Sequence, residues 1–331
     1  MSQIPRRRVL LAGAALLAAP LASLGQQQPK VRRIGVLLGG TVASNRHHRD
    51  AFVQGLNELG YVEGKNVIVE TRYAEGKIDR FPALVKELLE QKAEVLFASS
   101  GVAAQAAQKS GTQTPIVFAF APDPVGQGFG KSLAHPGGNM TGLSSTHGEL
   151  SAKRLELLKE AFPRIRRIAV LYFLAPSAAG VAEQLAETER AAKKLGLTLA
   201  TEESPRPEDF ERAFASMQKQ RPDALVVIEN PVFFANRVRL TELALELRRP
   251  AIYNVSEYVQ SGGLMSYGAS YEDLARRAAT HVVKILNGAR PGDLPIEQPT
   301  KFELVLNLKT AKAMGIAFPQ SFVARADRVI E

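Results

Sequence analysis

The sequence predicts an α/β protein with two lobes, each of them a parallel sheet flanked by helices. Short apolar runs alternate with segments of helical spacing on both sides of a glycine- and proline-rich stretch at residues 118–145. The length of 331 residues also exceeds the usual size of one domain. Because right-handed crossovers bring the loops after parallel strands to one rim, we expect functional groups at the strand ends.

The first 25 residues have the features of a signal peptide. Three successive arginines (residues 6–8) precede an Ala- and Leu-rich run (residues 9–24), which ends in a small-x-small pattern expected before a cleavage site. Pro20 leaves the apolar run shorter than the roughly 20 residues that span a bilayer. The arginine pair also resembles a twin-arginine signal, so this route and general secretion both stay open. The sequence therefore predicts a periplasmic protein whose mature chain begins near Gln26.

The first run of strands and helices follows a short polar linker. Its first helical segment places Phe52, Leu56 and Leu59 on one face, and Gly60 is suited to a C-cap. The strands are apolar runs that end in small or polar residues. Strands are predicted at residues 31–38, 67–72, 95–98 and 116–120, and helices at residues 48–59, 81–91 and 102–109.

The same alternation resumes after residue 145. Its most regular helix, at residues 271–287, has Leu274, Ala278, Val282 and Leu286 in phase. Further helices are predicted at residues 150–161, 178–195, 207–220, 236–247 and 309–314. Strands are predicted at residues 168–173, 197–202, 224–228, 251–253, 263–267 and 302–306. Two such runs predict two separate parallel sheets.

Composition and motifs exclude several classes of function. Formal net charge is +9, and without the three leader arginines 39 Lys and Arg face 33 Asp and Glu, about +6. These basic residues are scattered along helices, so we expect no nucleic-acid partner. The absence of cysteine excludes disulfides, thiolate metal sites and Cys nucleophiles. No GxGxxG, P-loop, HExxH or GxSxG motif occurs, so the sequence predicts neither a cofactor nor an enzyme.

Two histidines, His47 and His48, are adjacent in a predicted helix. Consecutive helical residues point about 100° apart, so we expect that these two cannot hold a metal ion together. With five scattered histidines in the chain, the sequence predicts no metal site.

Polar groups at strand ends are the candidate ligand-binding residues. Ser99, Ser100 and Gly101 end one strand and open a helix, where free backbone N–H groups could hold a carboxylate. A plain N-cap is the alternative. The other candidates are Asp123, Asn230, Tyr253 and Glu257, each within a few residues of the end of an apolar run. Capping of loops by Asp and Asn is the alternative for part of this set. A cleft with such acceptors and helix N-termini suits a zwitterion.

Several motifs together resemble the ABC-transporter substrate-binding proteins of the tryptophan/phenylalanine type. They are RIGVLLGG (33–40), FVQGLNELGYVEGKNVIVE (52–70), DPVGQGF (123–129), SLAHPGGNMTGLSS (132–145), KRLELLKE (153–160), GGLMSYG (262–268) and PTKFELVLNLKTAKAMG (299–315). The resemblance implies a type I periplasmic-binding fold with three hinge crossings, near residues 141–143, 268–270 and 300–304. Lobe 1 would comprise residues 31–141 and 271–299, and lobe 2 residues 142–270 and 300–331.

The resemblance also implies a function. The chain would be a monomeric, exported receptor that delivers a small molecule, such as an amino acid or a related carboxylate, to an ABC permease in the inner membrane. The ligand would bridge both lobes, with the N–H groups of Ser100 and Gly101 on a carboxylate and Tyr253 against an apolar or aromatic portion. Glu257 would be the partner of an ammonium group if the ligand is an amino acid. A sensor component for a membrane kinase and a periplasmic enzyme on the same fold stay open as alternatives.

Overall fold

The computed structural model describes residues 31–145, 147–174, 179–228 and 230–331. The predicted signal peptide, residues 1–25, lies outside the described residues. The strands are β1 (Arg32–Leu38), β2 (Val67–Tyr73), β3 (Val95–Ala98), β4 (Ile116–Ala121), β5 (Met140–Ser144), β6 (Arg167–Tyr172), β7 (Thr198–Glu203), β8 (Ala224–Val227), β9 (Ala251–Tyr253), β10 (Met265–Ala269), β11 (Phe302–Asn307) and β12 (Arg328–Ile330).

Helices connect most of these strands. They are α1 (Val42–Glu58), α2 (Phe81–Glu90), α3 (Gly101–Lys109), α4 (His147–Ala161), α5 (Ala179–Lys194), α6 (Phe210–Lys219), α7 (Pro231–Ala235), α8 (Arg237–Leu247), α9 (Ser256–Gln260), α10 (Tyr271–Leu286), α11 (Leu308–Met314) and α12 (Gln320–Val323). Helix α1 begins earlier than the sequence predicts because Thr41 and Ser44 form a capping box at its N-terminus.

The first sheet has five parallel strands in the order β2-β1-β3-β4-β5. Alternate residues of β1 belong to hydrophobic clusters on opposite faces of the sheet. Ile34 and Val36 pack on the side of α1 and α10, and Leu37 packs on the side of α2 and α3. Both faces are thus covered, which is why the strands are continuously apolar rather than alternating.

The second sheet has seven strands in the order β12-β11-β10-β9-β8-β6-β7. All neighbouring pairs are parallel except β10 and β11. Residues of α4 and α5 pack on one face of this sheet, and residues of α6, α8 and α9 pack on the other. The predicted α/β architecture with two sheets flanked by helices is confirmed.

The chain passes between the sheets three times. It leaves the first sheet after β5, returns between β10 and α10, and passes back to the second sheet before β11. The second and third passages lie at or beside the predicted crossings. Strand β5 differs from the expectation, since Thr141 and Gly142 pair with Val117 and Phe118 of β4 in the first sheet.

Gly142 explains how β5 fits there. Its φ is +154°, and a Cβ at this position would lie 1.9 Å from the carbonyl oxygen of Phe118. Only glycine permits this close approach of two backbones. A lobe boundary at residues 141/142 would cut the strand, so we propose that lobe 1 extends to Ser144.

Apart from β5, the elements that the sequence did not predict are short. Helices α7, α9 and α12 have 5, 5 and 4 residues, and β12 has 3. Such lengths are below those at which hydrophobic periodicity can be recognised. Among the helices of the described residues, none has both the length and the apolar character that a bilayer span requires.

Helices α1 and α10 touch at Gly55, which sets their separation. A Cβ on Gly55 would lie 2.3 Å from the carbonyl oxygen of Arg276 and 2.9 Å from Cβ of Ala279. We expect Gly55→Ala to lower the free energy of unfolding by about 1–3 kcal/mol through overpacking, as measured by urea denaturation. Gly138→Ala is the matched control, because its Cβ would meet no atom within 4 Å. Equal stability of the two variants would contradict close packing at Gly55.

Candidate functional site

A cleft between the two lobes lies at the carboxyl ends of the parallel strands. It encloses about 740 Å³, the open solvent at its mouth included. The first lobe lines it with the loops after β1, β3 and β4 and with the start of α10. The second lobe contributes the start of α5 and the loop after β8. This is the position in which parallel α/β sheets bind ligands.

The N-terminus of α3 forms part of the cleft wall. Ser99, Ser100 and Gly101 all line it, and Ser99 is buried. The hydroxyl of Ser100 accepts a hydrogen bond from the backbone N–H of Ala103 at 3.2 Å, so Ser100 is the N-cap. Helix geometry leaves the first N–H groups of α3 without intrahelical acceptors. Ser100 therefore caps the helix, and N–H groups in the first turn of α3 are still available to bind an anion.

Asn230 and Gln127 bring complementary polar atoms to the cleft. Asn230 caps α7 by accepting a hydrogen bond from the N–H of Phe233 at 3.0 Å, while its buried Nδ2 has no hydrogen-bond partner among the described residues. The buried Oε1 of Gln127 also has none there. A Cβ on Gly101 would lie 2.5 Å from this oxygen, so glycine permits the approach. One unpaired donor and one unpaired acceptor thus belong to two residues that line the same cleft.

Asp123 is not among the residues that line the cleft. Its Oδ1 accepts a hydrogen bond from the N–H of Gly126 at 2.8 Å, and its carbonyl oxygen accepts one from the N–H of Gln127. The aspartate therefore caps the turn that carries Gln127, which corresponds to the loop-capping alternative.

Tyr253 lies in the core of the second lobe and is fully buried. Its ring stacks on Tyr258 with centroids 4.8 Å apart, and a Cβ on Gly263 would lie 2.7 Å from it. Its hydroxyl oxygen has no hydrogen-bond partner among the described residues. Burial raises the pKa of the Tyr253 phenol far above its ordinary value. The side chain does not reach the cleft wall.

Glu257 lies behind His48, and it is His48 that lines the cleft. Oε1 of Glu257 lies 2.8 Å from Nε2 of His48 and 3.3 Å from Nε2 of His47, which joins the second lobe to the first. Burial alone would raise the pKa of Glu257, but the hydrogen bonds from His47 and His48 outweigh it and hold that pKa far below its usual range. Burial lowers the pKa of His48, and the nearby Glu257 carboxylate offsets this only in part.

The expectation that His47 and His48 point apart is wrong. Their ring centroids are 4.1 Å apart with an interplanar angle of 57°, and both Nε2 atoms meet the same carboxylate oxygen. The backbone does place successive residues about 100° apart. The imidazoles nevertheless converge because Glu257, from the opposite lobe, lies between their tips.

Aromatic rings form the apolar part of the cleft. Phe120 stacks on Tyr271 with centroids 4.1 Å apart and an interplanar angle of 3°, and Phe234 faces them from the second lobe. Phe120 has a φ of +59°, at a register shift between Phe118 and Ala121. A bulky residue in this left-handed region is unusual and is often found at functional sites. This conformation, which is not visible in the sequence, turns the end of β4 toward the cleft.

The two lobes touch across the cleft. Nη2 of Arg237 donates a hydrogen bond to the carbonyl oxygen of Ser44 at 3.3 Å. A Cβ on Gly180 would lie 2.2 Å from Cγ of Pro122, which leaves room only for glycine at that contact.

The chain is similar to proteins of known sequence and structure. It is 27% identical over 269 residues to the tyrosine-binding protein of Clostridioides difficile (strain R20291), a match that covers 81% of this chain and 76% of that protein. The crystal structure of an ABC domain in complex with L-Trp from Streptococcus pneumonia has a TM-score of 0.82 and 26% identity, covering 90% of this chain and 99% of that one. A conserved domain protein from Vibrio cholerae O1 biovar eltor strain N16961 has a TM-score of 0.83 and 26% identity, covering 91% and 100%.

These similarities agree with the architecture, which is the type I periplasmic-binding fold. The family model described as ABC transporter substrate binding protein matches residues 33–330, nearly the whole of the described chain. The chain therefore belongs to the ABC transporter substrate-binding protein family.

Proposed function

We propose that this protein is the receptor of an ABC importer and that it binds an amino acid with an aromatic side chain in the interlobe cleft. The observation that carries the proposal is the pair of unpaired buried amide atoms, Nδ2 of Asn230 and Oε1 of Gln127, in one aromatic-walled cleft. Leaving such atoms unpaired costs about 1–3 kcal/mol each, which a ligand that pairs both would recover. The ligands named for two relatives, tyrosine and L-Trp, support this class.

Each part of a zwitterionic amino acid has a partner in this proposal. Nδ2 of Asn230 and the N–H groups at the start of α3 would donate to the carboxylate. Oε1 of Gln127 would accept from the ammonium group. No carboxylate is present among the described residues that line the cleft, and Glu257 is separated from it by His48. The rings of Phe120, Phe234 and Tyr271 would enclose the aromatic side chain.

The proposed mechanism is closure of the lobes around the ligand. The ligand would shift the population toward the closed arrangement by its preference for that form. The closed protein, exported as a monomer through its N-terminal signal peptide, would then deliver the ligand to a permease in the inner membrane. The role is binding rather than catalysis, in keeping with the relatives, which are binding proteins.

Thermal unfolding with a set of related compounds tests the ligand class. L-Trp, L-Tyr and L-Phe should each raise the melting temperature, because at a hundredfold the Kd a ligand adds roughly 2.7 kcal/mol to stability. 3-Phenylpropionate lacks the amine and 2-phenylethylamine lacks the carboxylate, so each should give a smaller shift at equal concentration. L-Ala carries the same ammonium and carboxylate groups without an aromatic ring, so its shift measures the contribution of those two groups alone. Shifts with 3-phenylpropionate as large as those with L-Phe would exclude recognition of an ammonium group.

Two near-isosteric substitutions separate the proposed contacts, with affinities measured by calorimetry. Gln127→Met removes the acceptor and should weaken binding of L-Phe about 10- to 150-fold, since a hydrogen bond to a charged group contributes about 1.5–3 kcal/mol. It should leave 3-phenylpropionate unaffected. Asn230→Asp keeps the cap on Phe233 but replaces the donor by a charged acceptor. It should therefore weaken binding of L-Phe and of 3-phenylpropionate, which both carry a carboxylate, and leave binding of 2-phenylethylamine unchanged. The same loss for all three compounds in both variants would argue against these assignments.

Tyr253 is expected to have no role in binding, in contrast to its assignment from the sequence. Tyr253→Phe removes a buried hydroxyl that lacks a partner, so stability should stay equal or rise by up to about 1 kcal/mol, with unchanged ligand affinity. Tyr61→Phe is the matched control, because its hydroxyl donates to Oδ1 of Asn287 at 2.9 Å. A tenfold loss of affinity in Tyr253→Phe would return this residue to the binding site.

A further inference from the structure

One cluster at the edge of the cleft takes no part in the proposed contacts with an amino acid. It consists of His47 and His48 on α1 and Glu257 on α9, which belong to opposite lobes. One donor atom from each residue lies within 4.8 Å of the other two. His48 and Glu257 are buried, while His47 retains 26% of its side-chain exposure. The cluster is therefore enclosed on two sides and reachable from the third.

The carboxylate of Glu257 is incompletely paired. Oε1 meets both imidazoles, but Oε2 is buried and has no hydrogen-bond partner among the described residues. A buried carboxylate that is incompletely paired is costly, and a cation bound by this carboxylate would relieve part of that cost. This atom is an observation independent of the spacing of the three side chains.

We propose that His47, His48 and Glu257 form a binding site for a transition-metal ion of the Zn²⁺ class, which connects the two lobes when they are closed. The inference goes beyond the proposed function and does not depend on which small molecule occupies the cleft. Two imidazole nitrogens and one carboxylate oxygen are a ligand set that Zn²⁺ accepts, with a fourth position left for water. Imidazole nitrogens are poor ligands for Ca²⁺ and Mg²⁺, which prefer oxygen.

The distances fit such an ion with small adjustments. Metal–ligand bonds of about 2.0–2.2 Å place two donors of a tetrahedron roughly 3.4 Å apart. The Nε2 atoms of His47 and His48 lie 3.3 Å and 2.8 Å from Oε1 of Glu257. The contact through His48 would therefore lengthen by a few tenths of an ångström as the metal replaces the shared proton.

The surroundings of His48 favour coordination through Nε2. Its other nitrogen, Nδ1, lies 3.3 Å from the side-chain amide of Asn45. Coordination through Nε2 requires the proton on Nδ1, and the Asn45 oxygen can accept from it once the amide is turned over. Arg237 lies close enough to Glu257 for their charges to interact. Its positive charge disfavours ions that are held only by electrostatic attraction. We therefore expect the site to select a metal that forms bonds to imidazole nitrogen.

Calorimetric titration of the purified, metal-stripped chain with ZnCl₂ and with CaCl₂ tests the site. We expect saturable one-to-one binding of Zn²⁺ and a much weaker response to Ca²⁺. Glu257→Gln and His47→Gln should each reduce Zn²⁺ affinity by at least about tenfold. His135→Gln is the matched control, because His135 is exposed and lies outside the cluster. Circular dichroism on every variant separates loss of the site from loss of folding.

A second readout identifies the geometry. Co²⁺ in place of Zn²⁺ should give the intense visible absorption of tetrahedral coordination in the wild type and in His135→Gln, and lose it in His47→Gln. This signal does not require the amino acid, so failure of ligand binding and failure of metal binding are distinguishable. Absence of saturable Zn²⁺ binding would overturn the proposal. Equal affinity in the wild type and both cluster variants would overturn it as well, and would assign the ion to another part of the chain.

Discussion

Parallel pairing of strands is the constraint on which the rest of this structure depends. Parallel neighbours can be joined only by crossovers, so the loops that follow the parallel strands of each sheet lie at one rim. The two sheets turn these rims toward each other, and the cleft results. The N-terminus of α3, the cap at Asn230 and the turn that carries Gln127 all reach the cleft in this way. The topology of the two sheets is thus sufficient to bring these residues together.

The cleft wall is unusual because two of its residues carry buried polar atoms that have no hydrogen-bond partner among the described residues. Folded proteins pair nearly all of their buried polar groups. Here Asn230 uses its oxygen within the protein, while its nitrogen and the oxygen of Gln127 are buried without a hydrogen-bond partner in the described part of the chain. The neighbouring wall is aromatic. These unpaired atoms distinguish the wall from ordinary protein surface, and a wall of this kind agrees with membership of a substrate-binding family.

Much of the fold was predictable from periodicity, because a buried strand or an amphipathic helix repeats its pattern over several residues. Strand β5 was missed since Gly142 and Thr141 look like part of a flexible loop, and its pairing depends on a close backbone approach to Phe118. The lining of the cleft was predictable where a residue directly follows a strand, as at Ser99. It was not predictable where side-chain direction decides, as for Tyr253, which points into the core.

Other parts of the site depend on contacts between distant parts of the chain. His48 and Glu257 are 209 positions apart, so no local pattern relates them. Phe120 lies in an apolar run that looks like core, and only its left-handed backbone turns the strand end toward the cleft. Gln127 lies inside a recognisable motif, but a glutamine in a turn has no distinctive signal. Tertiary context, not local propensity, decides all three.

The antiparallel pairing of β10 with β11 has a mechanical consequence. It places Ala269 opposite Phe302, so the second and third passages between the lobes run side by side, and the N–H of Ser270 donates to the carbonyl oxygen of Lys301 at 3.3 Å. Glu297, just before the third passage, is in turn bonded to β5 where the first passage begins. Neighbouring segments that are joined by hydrogen bonds can bend together but cannot slide past one another. Any movement of one lobe relative to the other would therefore have to bend the three passages together, which would limit the number of relative arrangements that the lobes can adopt.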